Sequence, residues 1–530
     1  MMRWARAPQS RDQMVLFAER LDEAIPPDHP VRLLDSILEQ IDWGKWESCY
    51  HGRLGQPPIH PRVLAGVLLY GLLRRIRTSR ALEEALIVRL DFRWLAEGRT
   101  IDHTTLSEFR RRHGHELKHL FVQIVLVAHQ LGLVSLEQLG FDGTRLRANN
   151  RRSGTRTSDE LRAMQAELAT KFAELEAQAA AEDARDDEHF GPGSSHTLPA
   201  ELADVKRRQA QVQAALDELE RAQQAGEPLP KRLPLTDPEC RVTPNKDGGF
   251  APNYTPLATV DVASGLVVSD DVIALTNEDQ HLLPAIDDVQ KQLGLDVSQA
   301  SILADSMMCT GANLAALEAR GMVLYSPIGI SVDPATNPAL RADPTQPVPS
   351  EHWDQLPTNA VRRGGVEGQQ LDKAAFVYDS ERNCYWCPAG KQLSYAKATS
   401  EANGSGRRIR HRYMAAKTDC DGCPLRQRCI LDKTKRRMVV HEQHEAARLR
   451  QAQLMATPAA QEQYARRSHP VERPFATIKQ HFGARRFLLR GLAKVRIEWR
   501  WLTTAFNLHR LMSLLVSRAG PQPQLIAIPT

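Results

Sequence analysis

The chain of 530 residues, 42% of them hydrophobic and 25% charged, is long enough for roughly three or four folded domains. Its longest apolar run, VLAGVLLYGLL from Val63, covers about 11 residues, which is too few for a transmembrane helix, and no cleavable signal segment is visible. These features exclude an integral membrane protein and predict a soluble intracellular one.

Charge is distributed unevenly along the chain. Residues 159–224 contain 15 acidic and 7 basic residues, whereas residues 466–510 contain 11 basic and 2 acidic ones. A solvated helix surface would explain the basic segment, and so would contact with phosphates, which gains affinity from released counterions. The carboxylate of Glu472 inside this basic segment favours phosphate contact at a metal-dependent site.

The N-terminal quarter of the sequence has a helical pattern. From residue 30 to about 133, apolar residues recur every three or four positions, and Pro61 is placed near a helix start. The segment IDHTTLSEFRRRH predicts another helix, capped by Asp102 or Thr104. Its outward face would present Arg110, Arg111, Arg112 and His113. Such a face suits a DNA backbone, and a basic cluster that complements the helix dipole is the alternative.

Two helical stretches on either side of HFGPGSSH predict an antiparallel hairpin inserted into the chain. The apolar positions of its two seams are Leu161, Met164, Leu168, Phe172 and Leu175, and Leu202, Val205, Val212, Leu216 and Leu219. Its acidic face disfavours direct DNA contact. A spacer, a surface for protein contact and a purely solvated hairpin all remain open.

Two short apolar runs each end on an aspartate, Asp142 and Asp305. Between and after them the pattern predicts a β-hairpin over 257–262 and 266–274, a helix near 280–293, a helix over 313–320 and the strand GMVLYSPI. With the helical segment of Glu472, the order is β, β, β, α, β, α, β, α, as in a ribonuclease H-like domain. In that fold strands one and four are neighbours, so the three carboxylates would meet and hold divalent metal. The rival acids Asp261, Asp270 and Asp271 fall on the hairpin, where we expect them to be exposed.

Five of the eight cysteines lie between Cys384 and Cys429, in CYWCP and CDGCPLRQRC. Two CxxC units about 30 residues apart suit tetrahedral zinc in a reducing compartment, because each tight turn directs two thiolates to one point. Ordinary thiols in a proline-rich loop are the alternative. The remaining cysteines, Cys49, Cys240 and Cys309, have no partner in sequence and are predicted to be plain core or surface residues.

Several segments resemble DDE transposases of bacterial insertion sequences, in the branch with a helical N-terminal domain and a cysteine-rich insertion. The resemblance covers roughly residues 28–514 and is carried by YGLLRRIRTSRALEEAL, DHTTLSEFRRRH, FDGTRLRAN, and VERPFATIK followed by RRFLLRGLAKV. The family's pattern around its last acid falls on Tyr464, Arg467, Glu472 and Lys479. Arg467 lies one residue farther from Glu472 than in the best-known version. Family-like CP contexts select Cys387, Cys420, Cys423 and Cys429 as the zinc ligands, with Cys384 as the substitute.

The resemblance implies that Asp142, Asp305 and Glu472 bind two magnesium or manganese ions and catalyse cleavage of insertion-sequence ends and joining of their 3′-hydroxyls to target DNA. The implied DNA contacts are Arg110, Arg111, Arg112, Tyr464, Arg467, Lys479, Arg485, Arg486 and Arg490. It further implies a homodimer or larger assembly on double-stranded DNA in the bacterial cytoplasm, associated with the nucleoid and not with a membrane. A metal-dependent endonuclease without strand joining and a non-catalytic zinc-containing DNA-binding protein remain alternatives.

The predicted fold class is α/β with large helical parts. The predicted segments are a helical N-terminal DNA-binding domain (1–134), the first strand of the ribonuclease H-like core (135–158), a coiled-coil hairpin insertion (159–235), further core strands and helices (236–330), a cysteine-rich, zinc-ribbon-like insertion (331–440), C-terminal core helices with Glu472 (441–515) and a flexible tail (516–530).

Overall fold

A computed structural model describes residues 20–50, 57–150, 152–190, 200–245, 248–275, 277–328, 336–363, 366–403, 406–430 and 435–519. The described chain is mixed α/β and separates into two units. Unit 1 comprises Met1–Leu133, Thr477–Ala484 and Arg500–Thr530, and unit 2 comprises Val134–Ala476 and Arg485–Trp499. None of the described helices is both long and apolar enough to span a bilayer.

The described part of unit 1 begins with seven helices. They are α1 (Pro30–Glu39), α2 (Gly44–Ser48), α3 (Pro61–Leu73), α4 (Ser79–Val88), α5 (Leu90–Leu95), α6 (His103–Arg112) and α7 (Gly114–Gln130). Pro61 occupies the first position of α3, where its missing N–H is not needed, as the sequence predicts. Asp102 caps α6 and accepts a hydrogen bond from the Thr105 N–H at 2.9 Å, which confirms one of the two predicted caps.

The core of unit 1 forms around α3, which is buried over nearly its whole surface and corresponds to the longest apolar run. Aromatic side chains extend this core. Phe109 of α6 stacks on Trp46, and its ring lies 6.3 Å from that of Trp501. Trp501 in turn donates its indole N–H to the carbonyl of Arg110 at 3.2 Å, so the end of α6 is fixed in the core.

Unit 2 is built on a sheet of seven strands among the described residues. Its strands are β1 (Gln138–Gly143), β2 (Leu146–Arg147), β5 (Arg241–Pro244), β6 (Phe250–Asp261), β7 (Val267–Ile273), β8 (Ser301–Leu303) and β9 (Leu324–Tyr325), while β3 (Thr155–Arg156) pairs separately with β4 (Leu233–Pro234). The main path runs β7-β6-β1-β8-β9, with β6 antiparallel to β1 and β7, and β8 parallel to β1 and β9. The long strand β6 also pairs with β2 and β5.

Several helices accompany this sheet. They are α10 (Leu282–Leu293) after a 3₁₀ turn (Glu278–His281), α11 (Gly311–Ala319) after a 3₁₀ turn (Ser306–Met308), α14 (Glu445–Met455), α15 (Pro458–Ala465) and α16 (Ser468–Ala476). In α14, the Gln451 amide donates to the carbonyls of Leu324 and Ser326 and so fixes this helix to the end of β9. The long last helix, α17 (Leu492–Ala519), contributes residues to both units.

The segment between β3 and β4 contains two long helices, α8 (Ser158–Phe190) and α9 (Ala200–Gln224). They are antiparallel, because Gln165 bonds to Gln213 at 2.8 Å while Gln209 bonds to the Leu168 carbonyl at 3.1 Å. The apolar seam packs around Leu161, Leu168, Val205, Val212 and Ala215. Most of the residues predicted for the hairpin seams lie in this cluster or against it.

The segment that carries five cysteines contains a second sheet. Five antiparallel strands follow the order β12 (Val377–Asp379), β13 (Cys384–Trp386), β14 (Gln392–Asn403), β15 (Gly406–Ala415) and β16 (Met438–Glu442), after a hairpin of β10 (Thr358–Arg363) and β11 (Val366–Leu371). Two short helices, α12 (Lys417–Asp421) and α13 (Arg426–Cys429), lie between β15 and β16.

The helix predicted to continue beyond Glu472 is interrupted. After α16 the chain forms a π-helical turn (Thr477–His481) and then an irregular loop up to the start of α17 at Leu492. Gly483 and Gly491 adopt positive φ angles of 69° and 82°, which end the helical path. At the C-terminus, α17 continues to Ala519, so the predicted tail is helical over residues 516–519, and residues 520–530 lie outside the described chain.

Candidate active site

Asp142 and Asp305 occupy equivalent positions on neighbouring strands of unit 2. In the parallel pair β1 and β8, Gln138 is opposite Ser301 and Gly140 is opposite Leu303, so Asp142 and Asp305 are the next same-face pair when this register is extended by two residues. Asp305 lies two residues beyond β8 and keeps an extended backbone, with φ −75° and ψ 173°. Both carboxylates therefore start from the same face, at the same end of the sheet.

Helix α16 packs on this face of the sheet. Gly140 shares its face of β1 with Asp142, since side chains alternate along a strand. A Cβ atom at position 140 would clash with Cγ2 of Val471, so glycine lets α16 approach the strand closely. Glu472, the next residue of α16, is exposed. The third predicted acid thus lies on the helix that covers the face of the two aspartates.

Arg467 forms an ion pair with Asp142. Its Nη2 lies 3.0 Å from Asp142 Oδ2, and the two side chains are only 12% and 17% exposed. A carboxylate so far removed from water needs a cation or several hydrogen bonds to remain charged. The sequence predicts Arg467 as a DNA contact, whereas in this structure its guanidinium neutralises the first predicted metal ligand.

The three predicted acids do not converge to ligand spacing. Among the described residues, the carboxylate oxygens of Asp142, Asp305 and Glu472 do not all lie within 4.8 Å of one another. Asp305 accepts a hydrogen bond from the Met307 N–H at 2.9 Å and caps the following 3₁₀ turn. The fold brings the elements of these acids together, while Asp142 and Asp305 bind protein partners.

A further acid, Glu278, is buried near the end of β1. Its carboxylate lies against Gly143, the residue after Asp142, and leaves no room there for a side chain. The 3₁₀ turn that begins at Glu278 packs against the turn that Asp305 caps. The sequence pattern does not single out Glu278, because an acid just before a helix is ordinarily assigned to the helix start. Gly143, directly after Asp142, was the available sign that another group packs closely there.

The rival acids on the hairpin differ from their predicted exposure. Asp261 is fully buried. Its carboxylate accepts hydrogen bonds from the N–H groups of Leu136 and Ser264 and from the Ser264 hydroxyl. Asp270 is 5% exposed, so the expectation is wrong for both. Asp271 is partly exposed and pairs with Arg496 at 2.7 Å. Buried carboxylates are tolerated where backbone and hydroxyl donors satisfy them, as they do around Asp261.

The cysteines of the second sheet separate into two sets. Cys420 lies in the core of this sheet, and Cys387, Cys423 and Cys429 pack against the same core. Burial raises the pKa of the Cys387 thiol, and the nearby Cys423 and Cys420 raise it further. Burial also raises the pKa of Cys429 to about 12, with contributions from the other three thiols. All four therefore lie close together, although no three sulfur atoms are within 4.8 Å of one another in the described chain.

Cys384 stands apart from these four. It is buried in β13, and its thiol pKa is raised by burial and by the charge of Asp379 rather than by other cysteines. The resemblance suggests four zinc ligands and leaves out Cys384. The fold groups the same four cysteines, Cys387, Cys420, Cys423 and Cys429.

The basic residues of α6 do not all face outward. Arg110 donates to the Arg77 carbonyl at 2.8 Å, and His113 is only 6% exposed because Trp46, Tyr50 and Phe109 surround its ring. The prediction of outward positions is therefore wrong for these two. Arg112 is exposed and pairs with Glu108 at 3.1 Å. Arg111 is exposed and lines an open concavity of about 580 Å³ together with Arg80 and His103.

The basic residues near Glu472 occupy a turn and a loop rather than one helix. Lys479, which the resemblance implies as a DNA contact, lies in the π-helical turn that follows α16 and is partly exposed. Arg485, Arg486 and Arg490 are exposed on the loop before α17. There Arg486 forms a β-bridge with Arg147, and Arg490 donates to the Asn149 carbonyl at 3.0 Å. Tyr464 is half-buried in α15.

Comparison with known protein families gives two matches. Residues 386–512 match the family described as Transposase DDE domain, and residues 19–112 match the family described as Transposase domain (DUF772). The first match includes the clustered cysteines, Arg467 and Glu472, while the second covers α1 to α6. No curated protein matches the chain.

Proposed function

The chain belongs to the DDE transposases of insertion-sequence type, and on this premise we propose that Asp142, Asp305 and Glu472 cleave insertion-sequence ends and join them to target DNA. The register of the parallel pair β1 and β8, which places Asp305 opposite Asp142 when it is extended by two residues, is the observation that carries this proposal. Two acids 163 residues apart in sequence acquire equivalent positions only through the strand pairing, and α16, which carries Glu472, packs on the same face of the sheet through Val471.

The strand order supports a ribonuclease H-like core. Taken in chain order, β1, β6, β7, β8 and β9 stand in the order 3-2-1-4-5, with the second strand antiparallel and the fourth and fifth parallel to the first. This arrangement carries the first aspartate at the sheet centre and the second beside it. The long helical hairpin is inserted between β1 and β6, and the second sheet is inserted between β9 and the helix of Glu472.

The donor set fits a divalent metal site. Carboxylate oxygens are the ligands that magnesium and manganese prefer, and the position beside Asp142 already accepts the Arg467 guanidinium as a cation. Asp142, Asp305 and Glu472 would hold two ions, which supply an activated hydroxyl nucleophile and stabilise the leaving oxygen. Arg467 holds the Asp142 carboxylate in place through their ion pair. Gly140 lets α16, the helix that carries Glu472, pack close to the strand.

Exposed basic residues would hold the DNA. In unit 2, the exposed Arg485, Arg486 and Arg490 lie on a loop, and their guanidinium groups suit phosphate contact; in unit 1, the ammonium group of the partly exposed Lys479 would also bind phosphate. Also in unit 1, Arg111 and Arg80 line the concavity beside the first turns of α4 and α6, where N–H groups favour anions. We assign recognition of the terminal DNA to this N-terminal surface, and we propose a homodimer or larger assembly on paired ends in the bacterial nucleoid.

The four clustered thiols would hold a structural zinc ion. Burial and, to a smaller extent, the neighbouring thiols raise the pKa of Cys387 and Cys429, and a bound cation that takes thiolates as ligands would offset both effects. Zinc would then join α12 and α13 to the loop that follows β13. This site stabilises the second sheet and takes no part in the chemistry at Asp142.

A plasmid assay tests the proposal. A supercoiled donor plasmid carrying the element's own ends is incubated with the full chain and magnesium or calcium, and cut products are resolved. Asp142→Asn, Asp305→Asn and Glu472→Gln should abolish cutting while binding to the terminal DNA stays near normal, since each removes a ligand and no phosphate contact. Asp271→Asn, on the same sheet, is the matched control and should cut like the parent.

Strand joining separates this function from its rivals. Precut ends with free 3′-hydroxyls are offered with a target plasmid, and covalent joint molecules are counted. Cutting without joining would identify an endonuclease. Binding without cutting, with all three acids intact, would identify a non-catalytic DNA-binding protein. If Glu472→Gln cuts at the parent rate, the third ligand is wrongly assigned.

A further inference from the structure

The described part of unit 1 contains a group of side chains typical of a metal site. Cys49 follows the last residue of α2, His113 joins α6 to α7, and Glu116 lies in the first turn of α7. Their ligand atoms all lie within 4.8 Å of one another, and no other such group occurs among the described residues. Three helix ends thus deliver a thiol, an imidazole and a carboxylate to one point.

The spacing of these atoms suits a tetrahedral ion. Cys49 Sγ lies 3.4 Å from one carboxylate oxygen of Glu116, Oε1, and His113 Nδ1 lies 3.5 Å from the other, Oε2, so the carboxylate faces both side chains. Zinc bonds of about 2.3 Å to sulfur and about 2.0 Å to nitrogen or oxygen place tetrahedral ligand atoms about 3.3 to 3.5 Å apart. Both distances fall in this range, and the three ligand atoms lie within 4.8 Å of one another.

The neighbours of His113 hold its imidazole ring in an orientation suited to metal binding. Its Nε2 lies 3.1 Å from the Tyr50 hydroxyl, which fixes the ring orientation and leaves Nδ1 directed at Glu116. Metal-binding imidazoles typically have this kind of partner on the other ring nitrogen. The ring is 6% exposed and packs against Trp46 and Phe109, so the site is shielded from water on that side. Cys49 Sγ also lies 3.6 Å from the Lys45 carbonyl.

We propose that Cys49, His113 and Glu116 bind one zinc ion, with water in the fourth position. The thiolate and the carboxylate neutralise the ion, and the thiol proton is released to solvent on binding. One sulfur with one nitrogen and one oxygen suits zinc better than magnesium, which prefers oxygen alone. The ion would link the end of α2 to the junction of α6 and α7 and so fix the position of α6 within unit 1. This site is independent of the transposase activity.

Protection of a single thiol tests the proposal in the unaltered chain. The full-length protein is stripped with a chelator, treated with iodoacetamide with and without zinc, and digested, and labelling of each cysteine is followed by mass spectrometry. Zinc should slow alkylation of Cys49 at least about tenfold, because a bound thiolate is a poor nucleophile. His113→Gln should remove this protection. Equal labelling of Cys49 with and without zinc would overturn the proposal.

Zinc counting gives a second, independent measurement. Cys49→Ala should lower the zinc content by one per chain relative to the parent, whereas Cys240→Ala, which removes a buried thiol outside the cluster, should leave it unchanged. Since Cys49 is only half-buried, its alanine variant should fold. A Cys49→Ala protein that folds and keeps the parent zinc content would also refute the site. Loss of zinc from the cluster around Cys420 changes neither result for Cys49.

Discussion

Replacement of Arg467 by glutamine should loosen the contact between α16 and β1 and strengthen metal binding at Asp142. The variant leaves a carboxylate that is 17% exposed without its cation. Removing one partner of a fully buried pair costs about 3 to 5 kcal/mol. The residual exposure and the access of water and salt reduce this, and we expect about 1 to 2 kcal/mol here.

Hydrogen exchange of β1 and α16 peptides is the suitable assay, because a chain with two units does not unfold in one step. A loss of about 1 to 2 kcal/mol should make exchange roughly 5 to 30 times faster in these peptides. Arg466→Gln is the matched control. The side chain of Arg466 is 50% exposed and pairs only loosely with Glu462 at 3.5 Å, so this variant should exchange like the parent.

Metal binding should change in the opposite direction. In the parent, a divalent ion at Asp142 must displace the Arg467 guanidinium, whereas in Arg467→Gln this competing cation is removed. Titration calorimetry with magnesium, without DNA, should therefore show tighter binding to the variant, and magnesium should restore slow exchange. Unchanged exchange together with unchanged magnesium affinity would refute the view that Arg467 neutralises the first metal ligand.

Three further predictions follow from individual contacts. Gly140→Ala should destabilise the packing of α16 by about 1 to 3 kcal/mol, measured by the same exchange assay, and Val471→Ala should restore most of it by removing the clashing methyl groups. Cys423→Ser should release about one zinc per chain, whereas Cys384→Ser should keep it; metal analysis showing no zinc in the parent contradicts this. Arg486→Gln should weaken binding to terminal and unrelated DNA equally and lower the salt slope by about one, and a loss confined to terminal DNA would count against phosphate contact.

Local sequence was sufficient where one short signal decides the structure. The apolar runs before Asp142 and Asp305 form strands, because a short hydrophobic run ending in a polar residue suits the end of a buried strand. Asp102 caps α6 through its own neighbours in sequence. The predicted seam of the hairpin also forms, since its apolar repeat leaves the two helices one way to bury it.

Long-range contacts decided the positions that sequence reasoning misplaced. His113 ends a basic segment, but its burial depends on Trp46 and Tyr50, more than 60 residues earlier. Asp261 follows an exposed-hairpin pattern, yet it binds the N–H of Leu136, 125 positions away. The sequence around Arg485 and Arg486 predicts a helix, because basic residues are good helix formers. In the structure, the positive φ of Gly483 and the β-bridge between Arg147 and Arg486 produce a loop instead.

The position of Arg467 follows from its spacing to two residues of α16. The Val471 N–H donates to the Arg467 carbonyl at 3.2 Å, so these residues are one helical turn apart and share a face. Val471 faces Gly140, which directs Arg467 toward β1 and Asp142. Glu472 is five residues from Arg467, which rotates it about 140° around the helix axis and toward solvent. The extra residue relative to the best-known family pattern therefore moves the arginine away from the side of the glutamate and onto the first aspartate. An arginine one position later would lie beside Glu472 and leave Asp142 without this cation.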